Sequence, residues 1–184
     1  MKKDSKTKIA SVYSLALFEA AEEKKAVAKV HSDVLSLLEV MNTDAEFLKY
    51  FSNPLWDAVS KKSALKEIAQ KIKLSDETLQ CLDVIADNNR FAELKLILEA
   101  FKHLYYAKNN IAEVEVASAK KLSAAQDKKL SGVLEKMLNK KVVVNYTLAP
   151  DLLGGLRVKY GSNMIDDSIQ GKLNRLEIMM KGGQ

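Results

Sequence analysis

Apolar residues recur at helical spacing from residue 8 to about 108, and strand-like alternation is almost absent there. The second run is the most regular. Val27, Val30, Val34, Leu37, Leu38 and Met41 follow the i, i+3, i+4, i+7 rule of a helix with one buried face. Thr43 and Glu46 then have capping-box spacing, in which each side chain satisfies a free amide of a helix start. The box predicts a short third helix through Phe47, Leu48 and Phe51, stopped by Asn53-Pro54. A fourth helix is predicted through Val59, Leu65, Ile68, Ala69 and Ile72, and Ser75 is placed to cap a fifth with Leu79, Leu82, Ile85 and Ala86. Asn88-Asn89 breaks the pattern before a sixth helix with Phe91, Leu94, Ile97, Leu98, Phe101 and Tyr105. Short connections between amphipathic helices predict a compact six-helix bundle over residues 1–108.

After Asn109-Asn110 the pattern changes. Ala112, Val114 and Val116 alternate with Glu113 and Glu115, as in a half-buried strand. Ser123 and Gln126 form a second capping box, opening a helix with Leu130, Val133, Leu134 and Met137. Val142, Val144, Tyr146 and Leu148 predict another strand, ended by Pro150, and Leu156 to Tyr160 a third. A short fourth passes through Met164 and Ile165, and a last helix begins near Ser168. Residues 109–184 therefore read as a small α/β domain appended to a helical bundle, the whole chain being mainly α.

The first helix, residues 8–24, has too many apolar sides. Ile9, Val12, Tyr13, Ala16 and Ala20 lie along one stripe, with Leu17 at its border, while Leu15 and Phe18 point well away from its centre. In the fifth helix Cys81 and Val84 likewise fall off the stripe of Leu79, Leu82 and Ile85. Either both helices are central and buried all round, or they expose a shallow apolar groove for a partner's amphipathic helix. Small side chains such as Ala16 and Ala20 would let a guest helix approach closely.

Composition narrows the choices. Two prolines and seven glycines in 184 residues are too few for an ordinary all-β protein. The one cysteine, Cys81, excludes an internal disulfide framework and, with no histidine near it in sequence, reads as a packed thiol. No apolar run is long enough to span a bilayer, and Met1-Lys2-Lys3 is not followed by the apolar segment of a secretory signal. Of the formal charge of +5, residues 111–184 carry +4, on scattered pairs such as Lys120-Lys121, Lys128-Lys129 and Lys140-Lys141. Few aromatics lie between them, so a solvated face explains them more simply than a nucleic-acid surface.

No phosphate loop and no dinucleotide fingerprint is present, and Gly154-Gly155 precedes a strand, where it makes a poor phosphate cradle. His31 and His103 have no second metal ligand at i+3 or i+4. Asp166-Asp167 as strand neighbours would point to opposite faces, which suits a turn or a helix cap better than an acid pair. No nucleophile, base and orienter assemble. The expectation is a non-enzyme with no catalytic residue, no cofactor and no metal.

The ordered string from Pro150 to Leu173 (Gly154-Gly155, the strand Leu156–Tyr160, Gly161, Ile165-Asp166-Asp167-Ser168, Gly171-Lys172-Leu173) resembles the C-terminal signature of ATP synthase delta subunits. That family includes the mitochondrial oligomycin-sensitivity-conferring protein. Tyr13-Ser14-Leu15-Ala16-Leu17-Phe18 is similar to the family's first helix, and Phe51-Ser52-Asn53-Pro54 and Asn89-Arg90-Phe91 match internal landmarks. Ser14 replaces a usual alanine, and Asp167 stands where glycine is common. The glycines of the string read as turn and packing positions.

The resemblance implies a non-catalytic stator subunit, one copy per complex and a monomer in isolation, that couples proton-driven rotation to ATP synthesis. Its N-terminal bundle would hold the N-terminal helix of an alpha subunit on the catalytic head, in a groove of Tyr13, Ala16 and Ala20 with Gln80, Val84 and Asp87. Its C-terminal domain would meet the peripheral-stalk b subunits, with Leu152, Leu153, Ile178, Met179 and Met180 as candidates. No nucleic acid is implied, and membrane association comes only through the complex. The opening Met and the lack of a transit peptide point to a bacterial inner membrane, cytoplasmic side. A basic nucleic-acid reader and an enzyme using Asp166 and Asp167 are the rival readings.

Overall fold

The computed structural model describes residues 2–43, 63, 64, 67, 69 and 72–181, with side chains from residue 6 onward. Among the described residues the chain is mainly helical with a small four-stranded sheet. It divides into two compact units, Met1–Tyr105 and Tyr106–Gln184. The third expected helix, its capping partner Glu46 and most of the fourth lie outside the described residues. Thr43 itself closes the second helix, its hydroxyl donating to the Glu39 carbonyl at 2.9 Å.

The first unit contains α1 (Lys2–Glu23), α2 (Val27–Thr43), α3 (Asp76–Asp87, expected as the fifth helix) and α4 (Leu94–Lys108), the last entered through a 3-10 turn at Phe91–Glu93. Val30, Val34, Leu37, Leu38 and Met41 are buried, so α2 packs by the stripe its spacing predicts. From α4, Leu94, Ile97, Leu98 and Phe101 join them, with the Phe101 ring 6.1 Å from that of Phe18. Asn89 ends α3 with a φ of +53°, the left-handed geometry that asparagine tolerates better than most residues.

The first helix differs from its expected stripe. Its core face is Ala10, Ser14, Leu17, Phe18 and Ala21, while Val12, Leu15, Ala16 and Ala20 are exposed and Ile9 and Tyr13 half-buried. Apolar residues on nearly every side give this helix no directional pattern, and the bulk of Leu17 and Phe18 decides which face is buried. Ser14 is buried at no cost in unpaired groups, because its hydroxyl donates to the Ser11 carbonyl at 3.0 Å.

In the second unit, β1 (Ile111–Ser118), α5 (Ala124–Leu138) and β2 (Lys141–Leu148) form a parallel crossover. A 3-10 turn at Pro150–Leu152 leads into β3 (Leu156–Tyr160), antiparallel to β1, and a Gly161 turn with φ +53° returns as β4 (Asn163–Asp166). The order across the sheet is β2-β1-β3-β4. The Ser123–Gln126 capping box opens α5 with both reciprocal bonds made. One sheet face buries Val114, Val116 and Val158 against Leu134 of α5, with Leu130, Leu138, Val142, Val144 and Leu156 around them. The register predicts a polar opposite face, which carries Glu113–Asn145 at 2.7 Å, Glu115–Lys159 at 3.5 Å and Arg157–Asp166 at 2.9 Å. The last helix, α6 (Ile169–Lys181), has no buried side chain.

Candidate partner-binding surfaces

On the side of α1 away from its core face, Val12 is 66% exposed and Ala16 and Ala20 are exposed beside it. Steps of four residues advance only about 40° around a helix, so these three make one strip. Helix α3 packs against α1, and it exposes Gln80, Val84 and Asp87, with Val84 at 50%. Tyr13 is half-buried and packs on the core. Five of the six groove candidates therefore reach solvent on neighbouring helices, and a small-residue strip beside a valine is chemically fitted to an apolar helix face.

The relative position of α3 is fixed by contacts the sequence did not advertise. Asp33 of α2 is buried, and its Oδ2 accepts the Ser75 amide at 2.7 Å, the Thr78 hydroxyl at 3.0 Å and the Ser75 hydroxyl. Ser75 does occupy the N-cap position of α3, with extended φ and ψ, but its hydroxyl turns to Asp33 instead of to a helix amide. A carboxylate at a helix N-terminus is also favoured by the helix dipole. At the exposed end of the pair, Lys24 reaches Glu77 at 3.4 Å. The Glu77 carboxyl is lowered from its ordinary pKa, first by its own backbone hydrogen bond and then by Lys24. Cys81 packs on the core, and burial pushes its thiol up to about 11, so it stays protonated and unreactive.

The C-terminal candidates separate. Leu152 is 3% exposed and fills the unit's own interior, so it offers a partner no surface. The next residue, Leu153, adopts a left-handed φ of +60° after the 3-10 turn and is thrown outward, 62% exposed. Ile178, Met179 and Met180 of α6 are exposed. Ile169, Leu173, Leu176 and Met180, all exposed, share one side of α6 at i, i+4, i+7 and i+11. A surface missed by the sequence reading is an open groove of about 740 Å³ between α5 and the Leu153-Gly154-Gly155 turn, with Leu122, Leu130, Val133 and Leu156 in its lining. The available signal was α5 itself, where Leu134 is buried while Val133 and Met137 are exposed.

The signature string proves to be one interlocked packing unit. Asp166 Oδ1 accepts the Ser168 amide at 2.9 Å and the Ser168 hydroxyl, while Oδ2 accepts from Arg157 at 2.9 Å. Ser168 Oγ in turn accepts the Gly171 amide at 3.0 Å, capping α6. Hydrogen bonds from Ser168, then the Arg157 charge, hold the Asp166 carboxyl down to about 2. A Cβ on Gly171 would stand 2.7 Å from that carboxylate, and one on Gly154 would stand 2.8 Å from Ile169 Cδ1. At Gly155, with φ +77°, it would meet the Asp167 carbonyl oxygen at 2.4 Å. Asp167 is exposed and pairs with Lys172 at 2.7 Å. The two aspartates thus serve a cap and a surface ion pair.

The family model for the ATP synthase delta (OSCP) subunit matches residues 9–180. The chain belongs to that family. The ATP synthase subunit delta of Alkalihalophilus pseudofirmus is 34% identical over 176 residues, covering 95% of this chain and 96% of that protein. The subunit delta of Fusobacterium nucleatum is 36% identical over 169 residues, covering 92% and 96%. A chain in the structure of the Toxoplasma gondii mitochondrial ATP synthase hexamer shares the fold, with a TM-score of 0.76 over 93% of this chain and 96% of that one at 21% identity. As a family member the protein is a structural, non-catalytic component of ATP synthase. No described helix is long and apolar enough to cross a membrane.

Proposed function

We propose that the protein works as the stator link of an F-type ATP synthase, tying the α3β3 catalytic head to the peripheral-stalk b subunits. Proton-driven rotation exerts torque on the head, and a static link must resist it for rotation to be coupled to ATP synthesis. Residues 1–108 form the head-binding six-helix bundle, and residues 109–184 form the stalk-binding domain. The supporting observation is that Val12, Ala16 and Ala20 on α1 and Val84 on the neighbouring α3 are all exposed, on helices whose other faces already fill a core. An amphipathic helix from the N-terminus of an alpha subunit is the occupant, with Tyr13, Gln80 and Asp87 at its margins. On the stalk side Leu153, Ile178 and Met179 are the exposed contacts. The protein attaches at the cytoplasmic side of a bacterial inner membrane only through the complex.

Rescue tests this reading. Membranes stripped of the stator subunit regain proton-driven ATP synthesis when the wild-type protein is added, and Ala16→Asp restores much less at equal concentration. Full rescue by Ala16→Asp with undiminished affinity would remove this strip from the head contact.

A further inference from the structure

We propose that Met180 and Met179 of α6 are a reversible oxidation site, at which a peroxide turns the thioether into a sulfoxide and weakens the hold on the stalk. The proposal rests on the stator reading and deepens it, by placing the stalk contact under redox control.

Exposure sorts the methionines. Met41 is 2% exposed and closed into the core of the first unit. Met137, Met164, Met179 and Met180 are exposed, all of them in the second unit. Met180, at 82%, is the most open of the large apolar side chains among the described residues, and Met179 stands at 65%. A thioether is oxidised where the oxidant can reach its sulfur, and these two offer that access. The other apolar residues of α6 are Ile169, Leu173, Leu176 and Ile178, which are inert to mild peroxide, and the helix holds no cysteine, tyrosine or tryptophan. Cys81 is a poor competitor. Its thiol is held protonated by burial, and the thiolate is the form that reacts.

Position makes the reaction consequential. At about 100° per residue, Met180 falls about 20° from Ile169 and between Leu173 and Leu176, in the middle of the apolar side of α6. Met179 flanks that side, whereas Met137 on α5 and Met164 on β4 lie off it. In the reaction a sulfur lone pair attacks one oxygen of hydrogen peroxide. The S–O bond forms, the O–O bond breaks, and the leaving hydroxide takes up a proton and departs as water. Sulfur is oxidised by two electrons and the peroxide reduced by two. The product is a polar, chiral side chain in place of a flexible apolar one. Facing water it costs little, and α6 has no buried side chain, so the fold is spared. Pressed against an apolar partner face, the sulfoxide oxygen must shed its water without a replacement donor. Methionine sulfoxide reductases, one for each sulfoxide epimer, return the thioether at the expense of a dithiol.

The test treats the full chain with hydrogen peroxide, locates the added oxygen by peptide mass spectrometry, and titrates the purified C-terminal segment of the cognate peripheral-stalk subunit. Met179 and Met180 gain oxygen before Met41, circular dichroism is unchanged, and binding weakens at least about fivefold. Incubation with the two reductases and dithiothreitol restores it. The Met179→Leu/Met180→Leu double variant holds whatever affinity it starts with through the same treatment, while Met137→Leu/Met164→Leu stays sensitive to peroxide. Undiminished binding by a chain carrying both sulfoxides on α6 would overturn the switch and leave the stalk reading intact. An equal loss in Met179→Leu/Met180→Leu would overturn the site. No binding by the untreated, folded wild type would overturn the stalk reading and the switch with it.

Discussion

Removing the Asp33 carboxylate should loosen α3 while leaving its sequence untouched. All three hydrogen bonds from the α3 start converge on one oxygen, Oδ2, and Asp33, Ser75 and Thr78 are all buried. In Asp33→Ala the Ser75 and Thr78 hydroxyls can still bond each other, being 2.9 Å apart, but the Ser75 amide loses its acceptor. A buried donor left unpaired costs about 1–3 kcal/mol, and lost bonds to a charged acceptor add to it. The buried carboxylate's own desolvation penalty disappears in the same variant and offsets part of the loss. The expected net destabilisation is about 2–3 kcal/mol. Asp33→Asn behaves differently, because its amide oxygen can occupy the Oδ2 position, and it should cost under about 1 kcal/mol. Urea unfolding followed by circular dichroism reads both values, with an unchanged m-value expected. The reasoning is refuted if Asp33→Ala lies within 0.5 kcal/mol of wild type, roughly the scatter of ordinary surface substitutions. It is equally refuted if Asn is as damaging as Ala.

Other expectations concern the signature and pH. Gly155→Ala forces a side chain at φ +77° to within 2.4 Å of backbone and should cost at least about 2 kcal/mol, whereas Gly161→Ala at φ +53° meets nothing within 4 Å and should cost about 1; thermal melts of the two variants separate these values. Asp166 has a folded pKa of about 2, below the ordinary carboxylate range, so its support for the α6 cap is fully present above about pH 4 and is lost as pH falls towards 2. Protection factors of the α6 amides, which correct for intrinsic exchange, should therefore fall over that window in wild type, and should already be low at pH 6 in Asp166→Ala. His31 is stacked on Tyr105 at 3.8 Å, and burial followed by the Lys102 charge lowers its pKa. Its unfolded form binds a proton more readily, so stability should fall as pH drops through about 6.5, and His31→Gln should lose that part of the pH dependence.

Legibility in the sequence tracked locality. The α2 stripe and the Ser123–Gln126 box depend on residues a few positions apart, and both stand in the structure as their spacing predicts. Helix α1 misled because its apolar residues surround it, and spacing alone could not show that Leu17 and Phe18 would be the buried pair. Asp33 gave no signal, since its partners lie 42 and 45 residues away. Leu152 and Leu153 are chemically identical neighbours, separated only by a turn that sends one inward and one outward. The signature glycines identified the family as a pattern, but their reason is three-dimensional: they clear space for Asp166, Asp167 and Ile169. The groove on α5 was hidden because its lysines read as solvated charge and its leucines and valine as core.

The most direct test of the stator account is a calorimetric titration of the full chain with a synthetic peptide from the cognate alpha subunit's N-terminus. The account predicts one-to-one binding that persists at high salt, as apolar contact should, and is lost in Ala16→Asp without a change in circular dichroism. Binding of equal strength in Ala16→Asp and Val84→Asp, or none in the folded wild type, would contradict it.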